Sequence, residues 1–289
     1  PHLGSYVWAY FWKNNFLQLE YFGRFFYVFI FVTTIFSSVE IIKKKFSDFE
    51  IFLIILLLIT LTVDKFLLGG YQEYLIFAIF YLISKIFLLL SNKDNVQIKY
   101  FYLLFYITSF LFLWIKQEGF FYYIISSIIF VIFFQKELKK KLISLLIVLL
   151  LLAFYLSIRI YFHESFQFNE QISSENLFNQ FSLNIIISKF FYILKYVLIS
   201  FFKYPIWILI IFSLFFLYRQ NYFRNKKYII VFLIFNFLFI TSIYLYSSYD
   251  VVWFLSTSLS RLLFGLSGFF ILLIVESFNH MKRDKNFKD

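Results

Sequence analysis

The sequence has no cysteine and only three histidines among its 289 residues. Without cysteine there is neither a disulfide nor a thiolate metal site. His2, His163 and His280 stand far apart, so the H-x-x-H and H-E-x-x-H spacings of hydrolytic metal centres are absent. The glycine loops of P-loop and dinucleotide-binding folds are absent as well. These gaps turn the reading away from metal or nucleotide chemistry in a soluble domain. Charge is also scarce, at 15% of residues against 62% hydrophobic, and mean hydropathy reaches +0.81.

What is present is a succession of apolar runs, each long enough or nearly so for a bilayer core of about 30 Å. A transmembrane β-barrel would alternate at period two, and IFLIILLLITLTV (51–63) does not. The expected fold is therefore all-α, a polytopic transmembrane bundle of about nine spans. They are placed at 21–42, 50–67, 73–91, 100–115, 119–134, 142–161, 204–219, 228–246 and 261–277. No repeat or soluble domain is evident, so residues 1–289 read as a single transmembrane domain.

The net charge of +11 reads as loop orientation rather than nucleic-acid binding. KKK (43–45), QKELKKK (135–141), RNKK (224–227) and KRDKNFK (282–288) all fall on the cytoplasmic side under one condition: residues 162–203 must stay outside. Residues 162–180 are then an outer loop, and 183–203 an interfacial helix whose Lys189, Lys195 and Lys203 snorkel. Residues 1–20 read as another outer interfacial helix, and 278–289 as a cytoplasmic tail. Pro1 lies outside, and the membrane is expected to be a bacterial inner membrane. Residue 1 is proline and the one methionine is Met281, so the native start is expected upstream, with a cleaved signal peptide as the alternative.

Chemistry-bearing residues collect at the outer ends of the spans. WIKQEG (114–119) interrupts an apolar stretch with Lys116, Glu118 and Gly119, a tight turn in which glycine would permit the backbone reversal. LEYFGR carries Glu20 and Arg24 four residues apart, a helical pair. GGYQEY carries Tyr71 and Glu73. Asp250 precedes a short polar helix, and Arg261 opens the last span. Cations at headgroup level suit a lipid phosphate, and a nearby carboxylate suits general-base work on a hydroxyl.

Three of these stretches resemble motifs of the GT-C membrane glycosyltransferases, a class that includes protein O-mannosyltransferases and lipid A aminoarabinose transferases. Pro1-His2-Leu3-Gly4 is similar to their P-x-L-G stretch, WIKQEG to a T-K-x-x-G turn, and SLSRLLFGLSGFFILL (258–273) to a late R-Y-L-L-P-L-x-P segment. The resemblance implies a GT-C bundle that moves a sugar from a polyprenyl-phosphate donor to a glycan, lipid or protein acceptor on the outer face. Lys116 and Arg261 would bind the donor phosphate. His2, Glu20, Arg24, Tyr71, Glu73, Glu118 and Asp250 are further site candidates. It places the catalytic aspartate upstream of Pro1, and glycines 265 and 268 stand where the family has prolines. No cofactor or metal ligand set is implied, a divalent metal being left open; the partners are the lipid-linked sugar, its acceptor and membrane lipid, with no nucleic acid.

Three competing readings make different demands. An O-antigen polymerase or ligase would favour arginine in its outer loop, whereas 162–180 has none. A transporter or flippase would place charge at mid-depth. A scaffold would be indifferent to alanine at Lys116, Glu118 and Arg261. The topology is testable because the chain is free of cysteine. A Ser173→Cys chain is expected to react with an impermeant thiol reagent from outside, and Lys140→Cys only after permeabilisation; the opposite pattern would reverse the orientation.

Overall fold

The structure is a computed structural model describing residues 21–43, 45–62, 72–91, 98–161, 183–247 and 250–286. Among them every regular element is helical, as the all-α expectation requires. In chain order these are α1 (Tyr21–Phe36), α2 (Val39–Ile42), α3 (Asp48–Thr62), α4 (Glu73–Ser91), α5 (Ile98–Ile115) and α6 (Glu118–Phe134). There follow α7 (Leu138–Tyr161), α8 (Leu183–Lys203), α9 (Pro205–Arg219), a 3-10 turn (Tyr222–Arg224), α10 (Tyr228–Tyr246) and α11 (Val251–Asn286).

Among the described residues five segments are long and apolar enough to cross a membrane unaided: Phe25–Ile42, α4, α7, α10 and Val251–Lys282 of α11. They become six if α8 and α9 are counted as one broken span, and α5 and α6 are apolar but shorter. The chain is a multi-pass helical membrane protein.

The breaks have local causes. Tyr204 is extended, with φ −108° and ψ 101°, and Pro205 takes the first position of α9. Proline disfavours a helical residue before it and has no N–H to continue the ladder. The axis turns by 95° at this point, at the boundary the sequence analysis draws between an interfacial and a spanning segment. Asn221 closes α9 with φ 55°, a left-handed conformation that asparagine tolerates better than most residues. At the start of α3, Ser47 and Glu50 form a reciprocal cap: the Ser47 N–H donates to Glu50 Oε2 at 2.8 Å and the Glu50 N–H to Ser47 Oγ at 3.4 Å.

One helix runs further than expected. The short polar stretch after Asp250 and the last span form a single helix, α11. Ser256, Thr257 and Ser258 do not interrupt it, because their hydroxyls donate back to the Trp253 and Phe254 carbonyls at 2.7–3.0 Å. Hydroxyls that would compete with the backbone are thereby absorbed within it.

The chain forms two compact units, residues 1–120, 201–226 and 263–289 in the first, and 121–200 and 227–262 in the second. The first is built on α4, which is buried along most of its length, and on the stretch Leu263–Val275 of α11, which is buried at nearly every position. A Cβ on Gly268 would lie 2.2 Å from the Phe77 carbonyl oxygen, so only glycine allows this backbone approach. The approach brings Phe264 into a cluster with Phe31, Tyr74 and Phe77, at ring centroid distances of 4.8–6.2 Å. Phe80 on Phe112 and Phe87 on Phe105 seat α5 on the other side of α4. Trp207 against Phe270 and the Ser213–Ser277 hydrogen bond hold α9.

In the second unit Phe121 and Tyr122 pack on Phe239, and Phe134 on Tyr228, so α6 and α10 run antiparallel. The Tyr123 hydroxyl donates to the Val148 carbonyl of α7 at 2.7 Å. Lys189 does not snorkel as expected. Its ammonium donates to the Leu245 and Ser247 carbonyls at 3.4 and 3.2 Å. The end of α10 leaves carbonyls without helical partners and carries partial negative charge, and a cation satisfies both.

The glycines set a clear expectation. Gly268→Ala should cost about 1–3 kcal/mol, the usual penalty of overpacking, read as a loss of thermal stability in detergent. Gly265→Ala should cost less, because its Cβ would meet a side-chain methyl, Ile76 Cγ2, at 3.0 Å, a contact relieved by a side-chain shift of a few tenths of an ångström rather than by a shift of the backbone. Equal effects at the two positions would contradict the backbone-contact argument.

Candidate functional site

The site centres on two residues 43 positions apart that the first unit brings together. Glu73 opens α4, and Lys116 stands in the turn between α5 and α6. Lys116 Nζ lies 2.5 Å from Glu73 Oε1. The glutamate side chain is only 6% exposed and the lysine side chain 21%. The pair is short, charge-assisted and largely withdrawn from solvent, the setting in which such a contact is strong.

The local geometry follows from the sequence. A carboxylate in the first turn of α4 faces the positive end of the helix dipole. The turn closes with the Gly119 N–H on the Lys116 carbonyl and the Phe120 N–H on the Gln117 carbonyl, both at 3.1 Å. Gly119 is not the reversing residue that the sequence suggests. It lies inside α6, its backbone is not in the left-handed region, and a Cβ there would fall 1.9 Å from the Phe112 carbonyl oxygen. The glycine is needed because α6 starts against the last turn of α5, and that contact fixes where Lys116 emerges. Below the pair, the Glu73 carbonyl oxygen is 3.9 Å from a Cβ built on Gly265, so α11 passes the foot of the carboxylate.

The other candidates fare differently. Glu118 is part-buried in the first turn of α6, two residues from Lys116. Asp250 serves its own helix, its Oδ1 accepting the Trp253 N–H at 2.7 Å as a cap on α11. Arg261 is part-buried on α11 and belongs to the second unit, whereas Lys116 belongs to the first. Arg24 lies in α1, with its side chain outside the described residues; His2, Glu20 and Tyr71 lie outside them altogether, as do the P-x-L-G stretch and the loop 162–180. Among the described residues no group of three or more His, Cys, Asp or Glu could hold a metal.

Sequence reasoning names Glu73 and Lys116 separately and misses their pairing. The signal is present: α4 and α5 are neighbours of 19 and 18 residues, so an antiparallel hairpin returns the end of α5 to the level of the start of α4. A different cation reads from sequence only as an orientation signal. Lys226 sits 3.9 Å over the Tyr222 ring, whose edge also meets His280 at 5.5 Å. Burial pushes the Lys226 ammonium down from its usual range, while the Glu276 charge opposes that shift.

Compared with known proteins, the sequence matches no protein family, no curated protein and no solved structure.

Removing one partner of the Glu73–Lys116 pair strands the other charge in a poorly hydrated place. Lys116→Met or Glu73→Leu alone should each cost on the order of 3 kcal/mol, whereas the double variant should recover most of that loss. Thermal unfolding of the four proteins in one detergent gives the coupling directly, and strictly additive losses would mean that the contact carries no stability.

Proposed function

We propose that this chain is a membrane glycosyltransferase that uses a sugar carried on a polyprenyl phosphate, and that Lys116 engages the donor phosphate. The single observation that carries the reading is the Lys116–Glu73 pair: a cation at the end of a helical hairpin, held in place by one carboxylate and still partly accessible. A lysine is a compact point charge well suited to phosphate. Transfer at the anomeric carbon develops negative charge on the leaving phosphate, and a fixed cation stabilises it where it forms. Glu73 is the positioning residue, keeping the ammonium at the mouth of the turn when no phosphate is there. Glu118, on the same turn, supplies a second carboxylate near an incoming acceptor hydroxyl.

The reading includes a GT-C bundle with the site on the outer face of a bacterial inner membrane. Its nine spans take the five long segments together with α3, α5, α6 and α9.

The test separates a phosphate-binding role from a structural one. In membranes carrying the full protein, Lys116→Ala is expected to lower transfer from a polyprenyl-phosphate sugar by about tenfold or more, the scale of losing one electrostatic contact to a developing charge. The exchange of Glu73→Lys with Lys116→Glu should restore the ion pair and thermal stability but not transfer. Restored transfer in the exchanged protein, or full transfer by Lys116→Ala, would remove the phosphate role.

A further inference from the structure

Among the described residues of the second unit, three buried polar groups that the glycosyltransferase reading does not use lack a partner. Ser126 and Ser127 lie midway along α6, and Asn236 lies midway along α10. They are 0%, 2% and 0% exposed. Ser126 Oγ, Ser127 Oγ and Asn236 Oδ1 have no hydrogen-bond partner in the protein. The Asn236 amide donates to the Phe232 carbonyl at 2.8 Å, which leaves its oxygen as an acceptor.

The ring contacts fix the register between the two helices. Tyr122 meets Phe239 at 5.4 Å, and Phe134 meets Tyr228 at 5.2 Å. One turn in from the first contact comes Ser126 on α6 and Asn236 on α10, because the helices are antiparallel and residues four or three apart share a face. The serines also depart from the habit of the chain. Ser242, Ser258 and Ser267 return their hydroxyls to carbonyls of their own helices at 2.6–2.8 Å. Ser126 and Ser127 do not; Ser126 and Asn236 share a level between the facing helices, while Ser127 follows Tyr123, which reaches α7, by four residues.

We propose that this cluster is an internal hydration site that holds ordered water between α6 and α10 at the middle of the membrane. The chemistry selects a neutral occupant with both donor and acceptor capacity. Asn236 Oδ1 needs a donor, and each serine hydroxyl offers either role. One water can donate to the amide oxygen and accept from a serine, satisfying groups whose unpaired burial would otherwise be costly. A bare cation is disfavoured, because the three oxygens are neutral and an ion at this depth needs compensating charge. The site is independent of the phosphate reading.

Two measurements on the protein in lipid nanodiscs decide the matter. A density map that shows ordered solvent should contain a peak within about 2.7–3.2 Å of Asn236 Oδ1 and of a serine Oγ. Direct contact between serine and asparagine with no peak would overturn the proposal. Radiolytic hydroxyl-radical labelling reports the same water chemically, since radicals form where water is held. Tyr122, beside the cluster, should label several-fold faster than Tyr244, which is equally buried in the same unit, 1% against 0% exposed, and whose hydroxyl is shared with Ser258 at 2.7 Å. Equal labelling of the two tyrosines would overturn the proposal as well.

Discussion

The first unit depends on backbone-to-backbone contact between α4 and α11 at Gly268. In a bilayer the lipid tails are as apolar as the side chains, so hydrophobicity does little to draw helices together. Close packing must draw them instead, and it requires surfaces that fit. A hydrogen in place of a side chain at Gly268 lets α11 reach the Phe77 carbonyl. Phe264 then enters the space between Phe31, Tyr74 and Phe77. Gly119 does the same for α5 and α6. The geometry that delivers Lys116 to Glu73 rests on the Gly119 approach together with the Phe80–Phe112 and Phe87–Phe105 contacts between α4 and α5.

Polar groups in this chain are handled economically. Hydroxyls fold back on their own helices, Asp250 caps α11, and Lys189 neutralises the end of α10. Against that background the Lys116–Glu73 pair stands out. Its carboxylate is only 6% exposed, whereas the glutamates paired with Lys85, Lys140 and Lys282 keep 44–67%. A contact used only for stability could have been replaced by apolar packing at little cost, which is why the pair is the natural centre of the proposed site.

The helices were legible in the sequence because their cause is local. Apolar runs, the Lys203–Tyr204–Pro205 break and the KQEG turn all map onto observed boundaries. The join across Ser256–Ser258 was not, because polar composition reads as a break until the hydroxyls are seen to bond within the helix. At Gly119 the sequence shows that a glycine is needed, not whether the need is a positive φ or, as here, a near neighbour. Long-range pairing was the hardest. Glu73–Lys116, Lys189 on α10 and Ser126 opposite Asn236 each depend on helix register, which hydropathy does not encode. Asp250 has a local use that composition does not reveal, as a cap on α11.

The outer surface of α7 has a different consequence. Leu142, Leu145, Leu146, Leu149, Leu150 and Phe154 are all exposed, and the helix buries little beyond Ser144, Val148 and Tyr155. To lipid, one aliphatic residue is nearly as good as another, so such a face can exchange leucine for isoleucine or phenylalanine without penalty. Over long divergence its letters would scramble while its helix persisted. The positions that close packing and pairing hold fixed are few: a glycine against a carbonyl and a lysine on a glutamate.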